Sequence, residues 1–177
     1  MTDWPQIVRE HGPMVWRTVY RLLKHDADAA DCFQRTFLSA LELSRTETVR
    51  SWPGLLCRLA TARALDGLRE RHRQAARSKP LLADCAVSPA TSQPAEAAQA
   101  NELARNLREA LTELDDRLAQ VFCLACLEGY RYEEIAESLG ITINHVGVLL
   151  NRARSVLQER LRSHAPAAAH QQREARA

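Results

Sequence analysis

The chain has 177 residues, room for one ordinary domain or two small ones. Its 24 Lys+Arg against 22 Asp+Glu leave a net charge of only +2, so overall charge does not single out a nucleic-acid partner. Few aromatic residues, no β-branched runs, no apolar leader and no apolar stretch of bilayer length argue against a sheet protein, a secreted protein and a membrane-spanning one; an all-α protein of the cytoplasm is predicted.

Trp4 to Leu23 reads as a helix with Val15, Val19, Leu22 and Leu23 on its apolar face. Pro13, following Gly12, predicts a break, because proline lacks the backbone donor and crowds the preceding turn. Asp26 or Asp28 is the expected cap of a second helix running from Asp28 to about Leu43. Its inward stripe is Ala30, Phe33, Phe37 and Leu41; Asp28, Asp31, Arg35 and Glu42 lie outward, flanked by Gln34 and Leu38. Ser44 to Val49 is a polar connection. A long helix then runs from Trp52 to Arg73, with Pro53 in its first turn and Leu56, Leu59, Ala60, Ala64 and Leu68 on a broad inner face of irregular period. Basic charge gathers here: Arg50, Arg58, Arg63, Arg69, Arg71, Arg73, Arg77 and Lys79 stand against Asp66 and Glu70, an excess of six. Such a local excess suits phosphate, although a solvated helix face has the same composition.

From Lys79 to Asn101 the chain turns rich in Ala, Ser and Pro, the composition of a flexible linker. The predicted division is an N-terminal helical domain over 1–79, a linker over 80–101, a C-terminal helical domain over 102–163 and a disordered tail over 164–177. Glu102 to Leu114 resumes a helix with Leu103, Leu107, Ala110, Leu111 and Leu114 inward.

Asp115 is a good N-cap for the helix that follows, and Gly129 stands where a helix ends in the left-handed conformation. Glu133 to Leu139 is a short helix stopped by Gly140, and Thr142 caps a longer one. On the latter, Ile143, Val146, Leu150, Ala153 and Leu157 recur at helical spacing, while Asn144, His145, Val148, Arg152 and Ser155 face the other way with Asn151 beside them. Short helix, glycine turn and longer helix with a polar, basic outer face is a helix-turn-helix pattern, whose second helix enters a DNA major groove; a plain helical hairpin has the same outline.

The five cysteines are Cys32, Cys57, Cys85, Cys123 and Cys126, an odd number that suits reduced thiols. Cys123-x-x-Cys126 has no second ligand pair at metal spacing and falls within a helix, so both read as small buried hydrophobes rather than a metal or redox centre. There is no Gly-rich phosphate loop, nucleophile elbow or His-x-x-x-His pair, and neither enzyme activity, metal nor cofactor is expected.

One stretch carries a family resemblance. Leu114, Arg117, Val121, Phe122, Leu127, Glu128-Gly129, Tyr132-Glu133-Glu134-Ile135-Ala136, Leu139-Gly140-Ile141, Val146 and Arg152-Ala153-Arg154 resemble the C-terminal promoter-reading domain of bacterial sigma factors of the extracytoplasmic-function type, without a gap from Leu114 to Arg154. The resemblance extends upstream. Asp28-Ala29-x-Asp31, Gln34 and Thr36-Phe37 are similar to the sigma helix that docks on core RNA polymerase, which implies Asp28, Asp31, Gln34, Arg35 and Leu38 as polymerase contacts; Arg35 stands where an acid is usual. Arg50-Ser51-Trp52, Leu59-Ala60, Ala64-Leu65-Asp66 and Leu68-Arg69 resemble the helix that holds the non-template strand at the minus-ten element. It implies DNA contacts by Trp52, Arg58, Arg63, Arg69, Arg71 and Arg73, with Trp52 equally suited to a core position.

In the C-terminal domain the resemblance implies minus-thirty-five contacts by Thr142, Asn144, His145, Asn151, Arg152 and Arg154, with Asn144, His145 and Asn151 toward base edges and Arg152, flanked by Arg154, toward phosphate. His145, Gly147, Val148 and Leu149 depart from the usual Thr, Lys, Ser and Arg, and fewer basic residues imply a shallower salt dependence. The implied function is promoter recognition and transcription initiation as a subunit of RNA polymerase, with core polymerase, promoter DNA and an anti-sigma factor as candidate partners. The alternative is a sigma-like decoy that binds an anti-sigma factor or polymerase without initiating, which the departures at Arg35, Ala62 and Gly147 motivate.

Overall fold

The computed structural model describes residues 2–77 and 95–164, so most of the predicted linker and nearly all of the tail lie outside the described residues. The described chain is helical throughout: α1 (Trp4–Leu23), α2 (Asp26–Thr46), α3 (Trp52–Arg77), α4 (Ala95–Glu113), α5 (Asp116–Phe122), a π-helical turn (Cys123–Leu127), α6 (Tyr132–Leu139) and α7 (Ile143–His164).

In α1, Asp3 accepts from the Gln6 N–H at 3.1 Å, and the helix ends where Lys24 turns left-handed at φ 51°. The predicted break at Gly12-Pro13 does not occur. Pro13 faces solvent, so water can satisfy the carbonyl it leaves unpaired, while Ile7 on one side and Val15 and Val19 on the other are clamped in the core. The cap of α2 is His25, whose Nδ1 accepts from the Asp28 N–H at 3.3 Å; Asp26 and Asp28 instead occupy the first turn, where their charge complements the helix dipole.

The buried stripe of α2 is Ala29, Cys32, Thr36, Phe37 and Ala40, one residue round from the predicted one: Ala30 is exposed, and Phe33 and Leu41 are half-buried. Small residues let α2 lie close against its neighbours, and the Phe33 ring is displaced to the flank. There Phe33 packs 5.0 Å from Phe37 and 6.1 Å from Trp16, centroid to centroid. Thr36 is tolerated inside because its hydroxyl donates to the Cys32 carbonyl at 2.7 Å. The helix runs three residues beyond Leu43, to Thr46, into the predicted polar connection.

α3 explains its own irregular period. It packs on α1 and α2 from one side and on α4, α5 and α6 from another, so it buries the adjacent pairs Leu56-Cys57, Ala60-Thr61 and Ala64-Leu65 rather than a single stripe. α4 starts at Ala95, seven residues before the predicted Glu102, because the Ala-rich start is itself a strong helix former. Ala110, Leu111 and Leu114 are buried as predicted, whereas Leu103 is 59% exposed.

In the C-terminal unit the local signals hold. Asp115 accepts from the Arg117 N–H at 3.0 Å, and Thr142 accepts from the His145 N–H at 3.2 Å. Gly129 and Gly140 adopt φ of 74° and 64°, where a side chain would be strained. At the start of α6 the Glu134 carboxylate accepts from the Arg131 N–H at 2.8 Å. Val146, Leu150, Ala153 and Leu157 are buried, but Ile143, predicted inward, is 46% exposed at the open end of α7.

The two units share their apolar interior. One cluster joins Val19, Leu22 and Leu56 to Leu111, Leu118, Ala153 and Leu157; the other seats Cys57 of α3 among Val121, Leu124, Ile135, Val146 and Leu150. Polar contacts rim the junction. Glu128, its side chain only 5% exposed, accepts from the Thr18 hydroxyl at 2.9 Å and pairs with Arg21 at 3.3 Å; Arg21 also donates to the Leu127 carbonyl. Arg69 pairs with Asp116 at 2.6 Å and donates to the Leu114 carbonyl at 3.1 Å. Gln120 donates to the Arg58 carbonyl at 3.3 Å and the Tyr130 hydroxyl to the Pro53 carbonyl at 3.2 Å.

Cys123 is buried as predicted, but Cys126 is exposed, with Arg154 Nη2 3.7 Å from its sulfur. Between them runs the π-helical turn, whose wider winding, with Glu128 N–H donating to the Cys123 carbonyl, rotates Cys126 outward. Burial pushes the Cys123 thiol up to about 12, and Cys32 and Cys57 to about 11. In native protein at pH 8, iodoacetamide is therefore expected to label Cys126 while Cys32, Cys57 and Cys123 stay unmodified until denaturant is added; peptide mapping checks this. Removing the Glu128 carboxylate leaves the buried Thr18 hydroxyl without its acceptor. Glu128→Ala is expected to cost about 1–3 kcal/mol of unfolding free energy and to enlarge the particle in small-angle scattering, and an unchanged denaturation midpoint would show that this contact holds nothing.

Candidate nucleic-acid interface

Helical geometry places the buried residues of α7 on one side and sets Val148 and Ser155 at the middle of the opposite side, with Asn144, Asn151 and Arg152 flanking them. All five are exposed, as are His145 and Arg154. Thr142 is exposed too, but its hydroxyl already caps the helix. Arg154 lies beside Cys126, and that contact first, with the charge of Cys126, raises its affinity for its proton. The helix thus presents two amides, an imidazole and two guanidinium groups outward from a backbone fixed by Gly140, the Thr142 cap and four buried apolar residues. Side chains of this kind on a rigid helix can contact base edges and phosphates together. Tyr132 of α6, 38% exposed and 3.8 Å from where a Gly147 side chain would begin, extends the same surface. Only the packing of α6 on α7 reveals it, so no sequence period could have.

The N-terminal candidates do not form one patch. Arg58 and Arg69 share the side of α3 turned toward the C-terminal unit. The Arg69 side chain, 14% exposed, is held by Asp116 and the Leu114 carbonyl. Arg73 pairs with Glu70, whose carboxyl it holds below its usual range. Arg63 and Arg71 face α2 instead: Arg63 donates to the Ser39 hydroxyl, and Arg71 to the Leu23 carbonyl at 2.8 Å with Asp28 at 3.4 Å. Trp52 is half-buried at the start of α3, edge-on to Trp4 at 5.2 Å. On α2, Asp31, Gln34, Arg35 and Leu38 share one exposed stripe, Leu38 being 58% exposed. Asp28 sits at its edge, half-buried beneath Arg71. Arg35 reaches Asp31 at 3.4 Å, so the reversed charge is partly neutralised within its own helix.

Among the described residues no three His, Cys, Asp or Glu side chains gather as a metal ion would require, and no helix is long and apolar enough to cross a membrane.

Comparison with known proteins agrees with this layout. The profile of sigma-70 region 2 matches residues 7–74, and that of sigma-70 region 4 matches residues 104–157. The ECF RNA polymerase sigma factor SigE of Mycolicibacterium smegmatis is 31% identical over 165 residues, 93% of this chain; the match spans 63% of that longer protein. The ferric citrate uptake sigma factor FecI of Escherichia coli is 30% identical over 133 residues, 74% of this chain and 73% of that protein. Among solved structures, the fold is similar to that of the sigma factor RpoE of Bartonella quintana in complex with the anti-sigma factor NepR, with a TM-score of 0.55 and 21% identity over 92% of this chain and 98% of that one. It is equally similar to CnrH in complex with the cytosolic domain of CnrY, at a TM-score of 0.55 and 21% identity over 90% of this chain and 87% of that one. With regions 2 and 4 in order on two helical units, and with a relative such as FecI matched over most of both chains, the chain belongs to the sigma-70 family of transcription initiation factors, in its extracytoplasmic-function group.

Proposed function

We propose that the chain acts as a dissociable specificity subunit: it binds core RNA polymerase and directs it to promoters, α7 reading the minus-thirty-five element as duplex and α3 holding the minus-ten element as opened strand. The observation that carries this is the outward face of α7, where Asn144, His145, Asn151 and Arg152 stay exposed although the two units are packed together. The Asp31, Gln34, Arg35 and Leu38 stripe of α2 is the polymerase-docking surface, with Asp28 at its edge. Trp52, Arg58, Arg63, Arg69, Arg71 and Arg73 supply the minus-ten contacts. The segment between α3 and α4 tethers the units, which makes the second promoter contact effectively intramolecular.

In this reading Arg69 must leave Asp116 and the Leu114 carbonyl before it can meet a phosphate, so promoter engagement and separation of the units are linked. RNA synthesis belongs to the polymerase core and no covalent chemistry to this chain; its place of work is the cytoplasm. An anti-sigma factor is a candidate regulator, since the similar fold of RpoE is seen in complex with one. The decoy reading draws on Arg35, Ala62 and Gly147, and run-off transcription with purified core polymerase separates the two: specific initiation eliminates the decoy.

Arg152→Ala is expected to weaken binding across promoters and to flatten the salt dependence by about one phosphate contact. Asn144→Ala is expected to relax the preference at one base pair, at a cost of about 1–3 kcal/mol. Quantitative footprinting with reconstituted holoenzyme measures both; footprints unchanged by either substitution would remove α7 as the reading element.

A further inference from the structure

The residue at the centre of the α7 reading face is apolar. Val148 is 64% exposed, more than any other large apolar side chain among the described residues. Helical spacing sets Asn144 one turn before it and Arg152 one turn after, with Asn151 beside it. A side chain at the middle of such a face comes nearest the groove floor when its flanks reach base edges and phosphates. Valine can neither donate nor accept a hydrogen bond, so amide, carbonyl and phosphate are excluded as its partners. The major groove displays one apolar group, the 5-methyl of thymine. Valine's branched Cβ also restricts its χ1, so little side-chain freedom is lost on docking.

We propose that Val148 is a specificity-determining residue that packs on a thymine methyl in the minus-thirty-five element. This rests on the reading of α7 as the promoter-reading helix.

The test uses reconstituted holoenzyme and a promoter fragment selected from a genomic library. Each thymine on either strand within the α7 footprint is replaced in turn by deoxyuridine, which removes the methyl and keeps the base pair. With the wild-type chain, one such replacement is expected to weaken binding about three- to fivefold, the worth of one buried methyl group. Val148→Ser should lose a similar factor on the thymine promoter and be indifferent to deoxyuridine at that position. Its affinity for core polymerase alone should be unchanged; a fall there would assign Val148 to a protein contact and overturn the proposal. An intact footprint containing no thymine, or one in which deoxyuridine is neutral everywhere, overturns the proposal and leaves the promoter-reading assignment standing. A deoxyuridine effect of equal size in Val148→Ser assigns the methyl to another residue. Absence of any promoter-specific footprint from α7 sinks the assignment itself, and the proposal with it.

Discussion

Burial of α3 from two sides is the constraint on which the rest of the structure depends. A helix with one buried stripe can leave its other faces to solvent, but α3 meets α1 and α2 on one side and α4, α5 and α6 on another. Its central positions are therefore Cys57, Ala60, Thr61 and Ala64, small enough for several helices to approach, with Leu56 and Leu65 filling the gaps. The same geometry divides its arginines. Arg69, turned toward the C-terminal unit, meets Asp116 and the Leu114 carbonyl, whereas Arg63 and Arg71, turned toward α2, meet Ser39 and Asp28. A charge cluster that looks continuous along the sequence is thus split into two sets by one helix being wrapped.

What could be read from the sequence was whatever depends on neighbours three or four residues away. The caps at Asp115 and Thr142, the left-handed glycines and the buried stripe of α7 each follow from local chemistry, and each stands where its residues place it. The outward set on α7 follows from the same period. Readings that depended on distant partners fared worse. Pro13 does not break α1, because long-range packing outweighs one missing hydrogen bond. The α2 stripe is rotated by one residue, keeping Phe37 but replacing Ala30, Phe33 and Leu41 by Ala29, Cys32, Thr36 and Ala40, because small side chains suit a close helix contact. Leu103 and Ile143 are apolar residues in correct register at helix positions that no partner covers. Cys126 is turned outward by a π-helical winding that a period of 3.6 residues cannot announce.

The polar contacts between the units were the least legible feature. Glu128 lies more than a hundred residues from both Thr18 and Arg21 in sequence, and none of the three lies in a pattern that marks it as a partner. Their chemistry is nonetheless exacting. A carboxylate as enclosed as Glu128 is tolerable only because a hydroxyl and a guanidinium both face it. Arg69 resembles it in role: its guanidinium is well shielded, and a carboxylate and a carbonyl occupy the donors that a phosphate would otherwise take.

The shared apolar clusters have a thermodynamic consequence. Cys57 belongs by sequence to the first unit and by packing to the second, and the other cluster joins residues of both units, Leu157 among them. Neither half can melt without exposing part of the other's interior, so heat should be absorbed in one cooperative peak rather than two. A cavity cut at Leu157 would then lower the melting temperature of α1–α3 along with that of α7, although the two are distant in sequence.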